Sequence, residues 1–277
     1  MSTSNGRPIL VLGANGKTGR RVARRLRERG LAVRPGGRSG DPPFDWERPE
    51  TWGQALDGAR AVYVSYYPDL AAPGAVEAAG SFAELAVKQG VRRLVLLAGR
   101  GEPEAEEAEK AVRQSGVELT IVRSTWFAQN FSEDYMLEHV LSGVVALPAG
   151  DTPEPFVDGE DIADVAVAAL TDDRHVGALY ELTGPRLLTF GDAVGEISAA
   201  TGRALRYQPV SIEEHAAAAA ERGVPGDVVE LLTYLFTTVL DGRNAKLTDG
   251  VQRALGREPA DFADFARRTA ATGVWNV

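Results

Sequence analysis

Short apolar runs alternate with longer segments in which apolar residues recur every three or four positions along the first half of the chain. Short runs of this kind predict buried strands, and the longer periodic segments predict helices. The predicted strands are residues 8–13, 31–35, 60–66, 92–99 and 118–124, and the predicted helices are 17–29, 51–56, 75–89 and 104–115. This alternation predicts right-handed βαβ units, and therefore an α/β fold with a Rossmann-type, doubly wound parallel sheet.

The pattern changes in the second half of the chain. A predicted helix at 159–170 precedes an apolar run at 177–184, which predicts a sixth strand for the same sheet. Beyond it, the sequence predicts helices at 190–201 and 212–222, a short strand at 204–210 and a helical tail ending near Trp275. We therefore predict a Rossmann domain formed by residues 1–130 and 155–184, and a smaller C-terminal mixed α/β lobe formed by residues 131–154 and 185–277.

The first predicted helix is rich in arginine. Its apolar residues Val22, Ala23 and Leu26 fall on one narrow face together with Gly19. The other positions carry Arg20, Arg21, Arg24, Arg25 and Arg27. A nucleic-acid patch is one interpretation of these arginines, but an outer helix also needs a polar face. We favour a solvated helix face.

Charge and composition argue against several classes of function. The chain has 277 residues, 25% of them charged, and a formal net charge of -9. A negative field repels phosphate backbones, so nucleic acid is not an expected partner. No cysteine is present, which excludes thiol nucleophiles, thiolate metal sites and disulfides. The three histidines are far apart in sequence and form no H-x-x-x-H pair, so no protein-bound metal is expected.

Membrane and targeting signals are not expected either. Apolar stretches are interrupted by charged residues or glycine well before the roughly 20 residues that a membrane span needs. The first residues, MSTSNGRP, have no apolar signal core. We predict a cytoplasmic monomer or homodimer with a small-molecule substrate and no membrane partner.

The strongest chemical signal is the segment GANGKTG, from Gly13 to Gly19, between a predicted strand and a predicted helix. Gly13 permits a tight turn, Gly16 allows the backbone to approach a pyrophosphate, and Gly19 allows the helix to pack closely on the strand. The start of the helix then faces the anion. These features predict dinucleotide binding, with Asn15, Lys17 and Thr18 completing the loop.

The end of the second predicted strand indicates which dinucleotide is bound. An NAD site usually carries an acid there for the ribose 2′-hydroxyl, whereas an NADP site offers arginine. The segment VRPGGRSG contains Arg34 and Arg38 and no acid before Asp41. We therefore favour NADP(H) over NAD(H), with Arg38 on the 2′-phosphate. Asp45 and Trp46 are expected beside the adenine, although Trp46 could equally belong to the core.

Other candidate residues come from the carboxyl ends of the strands, where ligands bind in open α/β sheets. Ser65, Tyr66, Ala98 and Gly99 are expected at the cofactor. The expected substrate contacts are Tyr67, Arg100, Trp126, Phe127, Asn130 and Phe156, since aromatic side chains can stack on a planar molecule. The alternative for these aromatic residues is simple packing.

Two further groups of residues are candidates for acid-base chemistry. Tyr135 and His139 stand four apart on a predicted helix and are candidate proton donors. The acidic run from Glu102 to Glu109 could be catalytic. Carboxylates at the start of a helix stabilise its dipole and are usually solvated, and this is the interpretation that we favour.

The order of four motifs suggests a family. GANGKTG, LVLLAG, SGVELTIVRSTWFAQNF and PFVDGEDIADVAVAAL occur in that order, and the sequence resembles the NmrA-like atypical short-chain dehydrogenase/reductases over nearly its whole length. The segments TWFAQNFSE and LTGPRLLTFGDAVGEIS are similar to the branch of ergot-alkaloid reductases of the festuclavine/agroclavine dehydrogenase type. The resemblance implies an NAD(P)-binding fold and reductase chemistry, with Glu109 most similar to the family's recurrent acid.

One departure from the wider superfamily affects the mechanism. Ordinary short-chain reductases use a Tyr-x-x-x-Lys pair, in which the lysine lowers the pKa of the tyrosine that transfers the proton. No tyrosine here is followed four residues later by lysine, and Ala98 and Gly99 replace the usual serine. Two functions remain. One is an NADPH-dependent reductase of a planar electron-poor molecule, such as an iminium, a quinone or a conjugated carbonyl. The other is a non-catalytic, NADP(H)-binding redox-sensing regulator.

Overall fold

The computed structural model describes residues 6–277. The prediction that the chain starts without a signal core rests largely on residues 1–5, which lie outside the described residues. Within residues 6–277, no helix is both long enough and apolar enough to cross a membrane.

The chain forms two compact units. Unit 1 consists of Met1–Ser124, Gly159–Leu182 and Gly250–Arg257, and unit 2 of Thr125–Asp158, Thr183–Asp249 and Glu258–Val277. The sequence-based division differs at several boundaries. It placed residues 125–130, 155–158 and 183–184 with the Rossmann domain, and it did not foresee that residues 250–257 return to unit 1.

Unit 1 contains a six-stranded parallel sheet. Its strands, numbered along the whole chain, are β1 (Ile9–Leu12), β2 (Val33–Gly36), β3 (Ala61–Val64), β4 (Arg93–Gly99), β5 (Glu118–Ser124) and β7 (Leu179–Leu182). Their order in the sheet is β2-β1-β3-β4-β5-β7. The predicted doubly wound parallel sheet is thus confirmed, and the order reverses between β1 and β3, where such folds bind ligands.

Helices cover the sheet of unit 1 because its strands are apolar on both faces. They are α1 (Gly19–Glu28), α2 (Trp52–Leu56), α3 (Ala75–Lys88), α4 (Pro103–Gln114), α7 (Gly159–Thr171) and α11 (Gly250–Leu255), with short 3-10 helices at Pro49–Thr51 and Asp173–His175. Helices α2, α3 and α4 bury residues such as Trp52, Phe82 and Val112 in one core with alternate residues of the strands. Helix α1 packs against α7.

The arginines of α1 are not all solvated, which corrects the prediction for this helix. Arg21 Nε lies 2.6 Å from Glu160 Oε1, and Arg25 Nε lies 2.5 Å from Asp164 Oδ1. Both acids belong to α7, so these ion pairs join the two helices. The sequence pattern of α1 alone could not show this, because the partners lie far along the chain.

Unit 2 is built around aromatic side chains. Its strands β6 (Val144–Leu147) and β8 (Arg206–Pro209) pair in parallel. Its helices are α5 (Asn130–Glu133), α6 (Met136–Ser142), α8 (Phe190–Thr201), α9 (Ile212–Glu221), α10 (Gly226–Tyr234) and α12 (Phe262–Ala270), with a π-helix at Leu235–Val239. The last helix ends at Ala270, earlier than the predicted tail. Trp275 follows it, fully buried, and donates its indole N–H to the Phe131 carbonyl oxygen at 2.9 Å.

Candidate functional site

The glycine loop of unit 1 forms a tight turn between β1 and α1. Gly13 has a φ of 63°, which favours glycine, and its carbonyl oxygen accepts the N–H of Gly16 at 2.8 Å. A Cβ placed on Gly19 would lie 2.1 Å from the Gly13 carbonyl oxygen, and one on Gly16 would lie 3.2 Å from it. Because α1 packs this closely on the turn, the chain requires glycine at position 19.

The start of α1 is suited to an anion. No side chain caps this helix, and its first turn contains no acidic residue. Thr18 at the N-cap is 4% exposed, while Gly13, Asn15 and Gly16 lie on the surface. Exposed backbone at an uncapped helix start can receive a pyrophosphate, and the positive end of the helix dipole stabilises it. The residues of the loop fit a dinucleotide.

The two arginines predicted at the cofactor have different environments: Arg34 lies within β2, and Arg38 follows it. The guanidinium of Arg34 donates to the carbonyl oxygens of Ala55 and Asp57 at 2.7 and 2.5 Å. These hydrogen bonds stabilise the end of α2. Arg38 is exposed and forms no ion pair with any residue from 6 to 277. Of the two, Arg38 is the one whose guanidinium is available for a phosphate.

Asp45 and Trp46 belong to a folded turn and an aromatic cluster. Asp45 Oδ1 accepts the Glu47 N–H at 3.2 Å, and its carbonyl oxygen accepts the Trp52 indole N–H at 2.8 Å. The Trp46 ring lies 4.6 Å from the Tyr66 ring and is 9% exposed. Packing accounts for most of the Trp46 surface. Contact between Trp46 and the adenine stays a prediction, and only the exposed edge of the aromatic cluster is open to such a contact.

The carboxyl ends of β3, β4 and β5 bring several predicted residues to one edge of the sheet. Ser65 follows β3 and contacts Gly13, where an added Cβ would lie 3.4 Å from the Ser65 Cβ. Ala98 and Gly99 end β4, and Gly99 is the register partner of Ser124 at the end of β5. This placement supports the prediction that Ser65, Ala98 and Gly99 contact the cofactor, which stays a prediction.

Two of the predicted substrate residues in unit 1 are placed very differently. Tyr67 is 69% exposed and can meet a ligand. Arg100 is 3% exposed, and its Nε lies 3.4 Å from Glu181 Oε2. The burial of Arg100 favours a structural ion pair over contact with a substrate.

The acidic run after β4 is not uniformly solvated, which corrects the prediction. Glu104 is exposed, as expected for the first turn of α4. Glu109 accepts two hydrogen bonds from Arg123, at 2.7 and 2.6 Å. Glu102 is only 5% exposed because it precedes α4 and folds back over Gly99.

Glu102 is hydrogen-bonded to Asp69, a residue of the loop after β3 that the sequence reasoning missed. Burial, together with the charge and hydrogen bond of Asp69 and the charge of Glu104, raises the pKa of the Glu102 carboxyl to about 9. Burial also raises the pKa of Asp69. The position of both residues shortly after neighbouring strands was a signal that could have identified them.

Glu102→Gln is expected to change how stability depends on pH. A folded-state pKa above the unfolded value means that the folded protein holds a proton that the unfolded protein releases. Stability therefore falls as pH rises from the ordinary carboxyl pKa towards the raised one, by up to about 1.4 kcal/mol per pH unit. Because glutamine is neutral at every pH, the Glu102→Gln variant does not show this fall in stability. The difference in Tm, variant minus wild type, should grow from pH 5 to pH 8; a constant difference would contradict the raised pKa.

In unit 2, the predicted substrate residues lie in or beside the aromatic core. The Trp126 ring lies 5.3 Å from that of Phe190 and 5.0 Å from that of Phe236, and part of it is exposed. Phe156 is 3% exposed and is packed among other phenylalanine rings. Phe127 forms a β-bridge with Val157 and is partly exposed. Asn130, the first residue of α5, is also partly exposed.

Tyr135 and His139 are not joined to each other. The Tyr135 hydroxyl is buried with no hydrogen-bond partner among residues 6–277, and burial raises the pKa of this tyrosine well above its ordinary value. His139 Nδ1 accepts the Ala146 N–H at 3.4 Å, and its Nε2 lies 3.2 Å from Arg222 Nη1. Burial, followed by the charge of Arg222, lowers the pKa of His139. This environment does not favour a proton-donating pair.

Comparison with known proteins agrees with the motifs. Residues 105–265 match the NmrA-like family. The chain is 33% identical to a (4-alkanoyl-5-oxo-2,5-dihydrofuran-3-yl)methyl phosphate reductase of Streptomyces griseus, over 95% of this chain and 98% of that protein. The chain belongs to the NmrA-like family. The predicted family resemblance is therefore confirmed.

Other similar proteins include a dehydrogenase and a reductase. The chain is 31% identical to the agroclavine dehydrogenase of Claviceps fusiformis, over 93% of this chain and 95% of that protein. Its fold is similar to that of the Citrobacter sp. triphenylmethane reductase complexed with NADP(H), with a TM-score of 0.72 and 21% identity over 95% of this chain and 99% of that chain. The structural likeness supports the Rossmann-type fold.

Proposed function

We propose that this NmrA-like protein is an NADPH-dependent oxidoreductase that transfers hydride to a planar, electron-poor small molecule without a Tyr-Lys relay. The acceptor is an iminium, a quinone or a conjugated carbonyl. The observation that carries the proposal is the uncapped start of α1 behind the Gly13–Gly19 turn, a cradle for a pyrophosphate at the end of β1. Relatives whose names describe reductases and dehydrogenases support the reaction type.

The residues of unit 1 would hold the cofactor. The turn and the start of α1 would receive the pyrophosphate, and Arg38 would pair with the 2′-phosphate. Ser65 and Gly99 lie at strand ends, towards which the nicotinamide would extend. Bound NADPH supplies the hydride. The protein's part is to bind both molecules and align the acceptor, which can account for a large share of the rate.

A titration combined with a turnover panel tests this function. NADPH and NADH binding would be followed by nicotinamide fluorescence, and NADPH oxidation would then be measured with iminium salts, quinones and conjugated ketones. We expect tighter binding of NADPH than of NADH, and oxidation that depends on the acceptor. Tight binding with no turnover across the panel would refute the enzyme and favour a redox-sensing regulator.

Trp126→Ala is expected to raise the KM for a planar acceptor several-fold with little change in the Kd for NADPH. The exposed part of the ring supplies a stacking surface, whereas the cofactor residues lie in unit 1. Loss of the two ring contacts should also lower stability by about 2–4 kcal/mol. Trp126→Phe is the control that keeps an aromatic face. An unchanged KM in the alanine variant, measured below its Tm, would assign Trp126 to packing alone.

A further inference from the structure

Asp69 and Glu102 form a buried acid pair at the edge of the sheet where β3 and β4 end. Two carboxyl groups can share a hydrogen bond only if one of them is protonated. Asp69 Oδ1 accepts the Ala71 N–H at 2.8 Å, which favours the ionised form of Asp69. The proton is therefore best placed on Glu102, the more deeply buried member.

The Glu102 carboxyl group occupies the space where other residues would carry a side chain at the end of β4. A Cβ on Gly99 would lie 2.0–2.2 Å from the three atoms of this carboxyl group. Gly99 and Ser124 are register partners, so the carboxyl group stands beside the end of β5. This is the sheet edge at which open α/β folds bind their ligands.

A buried polar atom at this edge, Ser124 Oγ, has no hydrogen-bond partner among residues 6–277, and its side chain is only 4% exposed. Buried polar atoms are nearly always satisfied, and those that are not often mark a place where a ligand binds. The unpartnered Ser124 hydroxyl group, on the strand beside the Glu102 carboxyl group, indicates that this edge meets a group that is not part of the protein.

The charged groups around the pair leave it with a proton near neutral pH. Glu104, in the first turn of α4, adds a like charge, which favours the protonated form. The nearby Arg100 is engaged with Glu181. No described basic residue forms an ion pair with either Asp69 or Glu102. The pair therefore behaves as an acid and not as a salt bridge.

We propose that the Asp69–Glu102 pair is the proton donor for neutral acceptors, namely quinones and conjugated carbonyls. This inference rests on the proposed function and selects among its substrate classes. Glu102 takes the place of the missing Tyr-Lys relay as the group that touches the acceptor. Asp69, which is partly exposed, holds Glu102 in position and connects it to solvent.

The step balances for a conjugated ketone. The acceptor gains a hydride from NADPH at the β-carbon, its C=C π electrons shift towards the oxygen, and an O–H bond forms with the proton of Glu102. The acceptor is reduced by two electrons and NADPH is oxidised. Glu102 and Asp69 are then both ionised, and their repulsion draws a proton back from water through Asp69. A cationic iminium needs only the hydride, so it does not need this acid.

The test compares two acceptors in matched variants. Wild type, Glu102→Gln, Asp69→Asn and the control Glu107→Gln, at an exposed position of α4, would be assayed with NADPH and either 2-methyl-1,4-naphthoquinone or an N-methyl iminium salt. Glutamine keeps the size of the side chain and removes the acid. We expect Glu102→Gln to lower kcat for the quinone by about 100-fold, the effect of a general acid, and to change kcat for the iminium salt less than 3-fold. Asp69→Asn should show the same selectivity to a smaller extent, and Glu107→Gln should resemble wild type.

The pH profile provides a second readout. In wild type, kcat for the quinone should fall as pH rises through the raised pKa of the pair, while the iminium rate stays level. Equal losses with both acceptors would make the pair structural, and no loss with either would place the donor elsewhere; both results overturn the inference. If wild type reduces neither acceptor, the proposed function itself fails, and the inference fails with it.

Discussion

Gly19→Ala is expected to abolish measurable NADPH binding. The added Cβ would lie 2.1 Å from the carbonyl oxygen and 2.6 Å from the carbonyl carbon of Gly13. Both are backbone atoms, so no side chain can rotate away, and the turn must open. Opening the turn displaces the backbone that would hold the pyrophosphate. We expect the Kd for NADPH to rise at least 100-fold, which corresponds to about 2.7 kcal/mol, and the Tm to fall.

A matched glycine provides the control for this variant. Gly195 lies within α8, and a Cβ placed there would meet no atom within 4 Å. Gly195→Ala should therefore leave NADPH binding unchanged and stabilise the helix slightly, since alanine is the better helix former. If Gly19→Ala bound NADPH as tightly as Gly195→Ala, the turn would not be the pyrophosphate site.

Arg38→Ala is expected to remove the preference for NADPH. A charge-assisted, bidentate pair with the 2′-phosphate is lost, whereas NADH has no phosphate at that position. We expect the Kd for NADPH to rise by about 30–100-fold, equivalent to about 2–2.7 kcal/mol, and the Kd for NADH to change less than 2-fold. Fluorescence titration of both cofactors measures the two changes in the same samples.

Arg34 supplies the comparison for Arg38. Its guanidinium is bound to two backbone carbonyl oxygens, so Arg34→Ala should lower stability and leave the ratio of NADPH to NADH affinity nearly unchanged. Equal losses of NADPH and NADH affinity in Arg38→Ala would remove Arg38 from the 2′-phosphate. If Arg34→Ala, and not Arg38→Ala, lowered the ratio of NADPH to NADH affinity, the 2′-phosphate would be assigned to Arg34.

The sheet of unit 1 could be predicted because its signal is local. Strands that are covered on both faces, such as β1 and β4, read as nearly continuous apolar runs. The glycine loop was equally visible, since its spacing reflects backbone geometry. Short elements of unit 2 were harder. Strand β6 has only four residues, alternately buried and half-buried, and the π-helix at Leu235–Val239 has no sequence signature that separates it from the preceding helix.

Burial of charge was the part of the site that the sequence could not reveal. The acidic run before and within α4 looks like a solvated helix start, and for Glu104 it is one. Glu102 is buried because Gly99 leaves space beneath it and Asp69 approaches from another loop. In the same way, Arg25 meets Glu160 only once α1 and α7 are packed together. Each of these contacts depends on tertiary structure and not on local pattern.

The most direct test of the proposed function is transfer of label from NADPH deuterated at the nicotinamide C4 position. The protein would be incubated with a conjugated ketone and each of the two stereoisomeric forms of the labelled cofactor, and the product would be examined by mass spectrometry. We predict that one form, and not the other, delivers a single deuterium to a carbon atom of the reduced product. Tight NADPH binding with no deuterium in the product from either form would contradict hydride transfer by this protein.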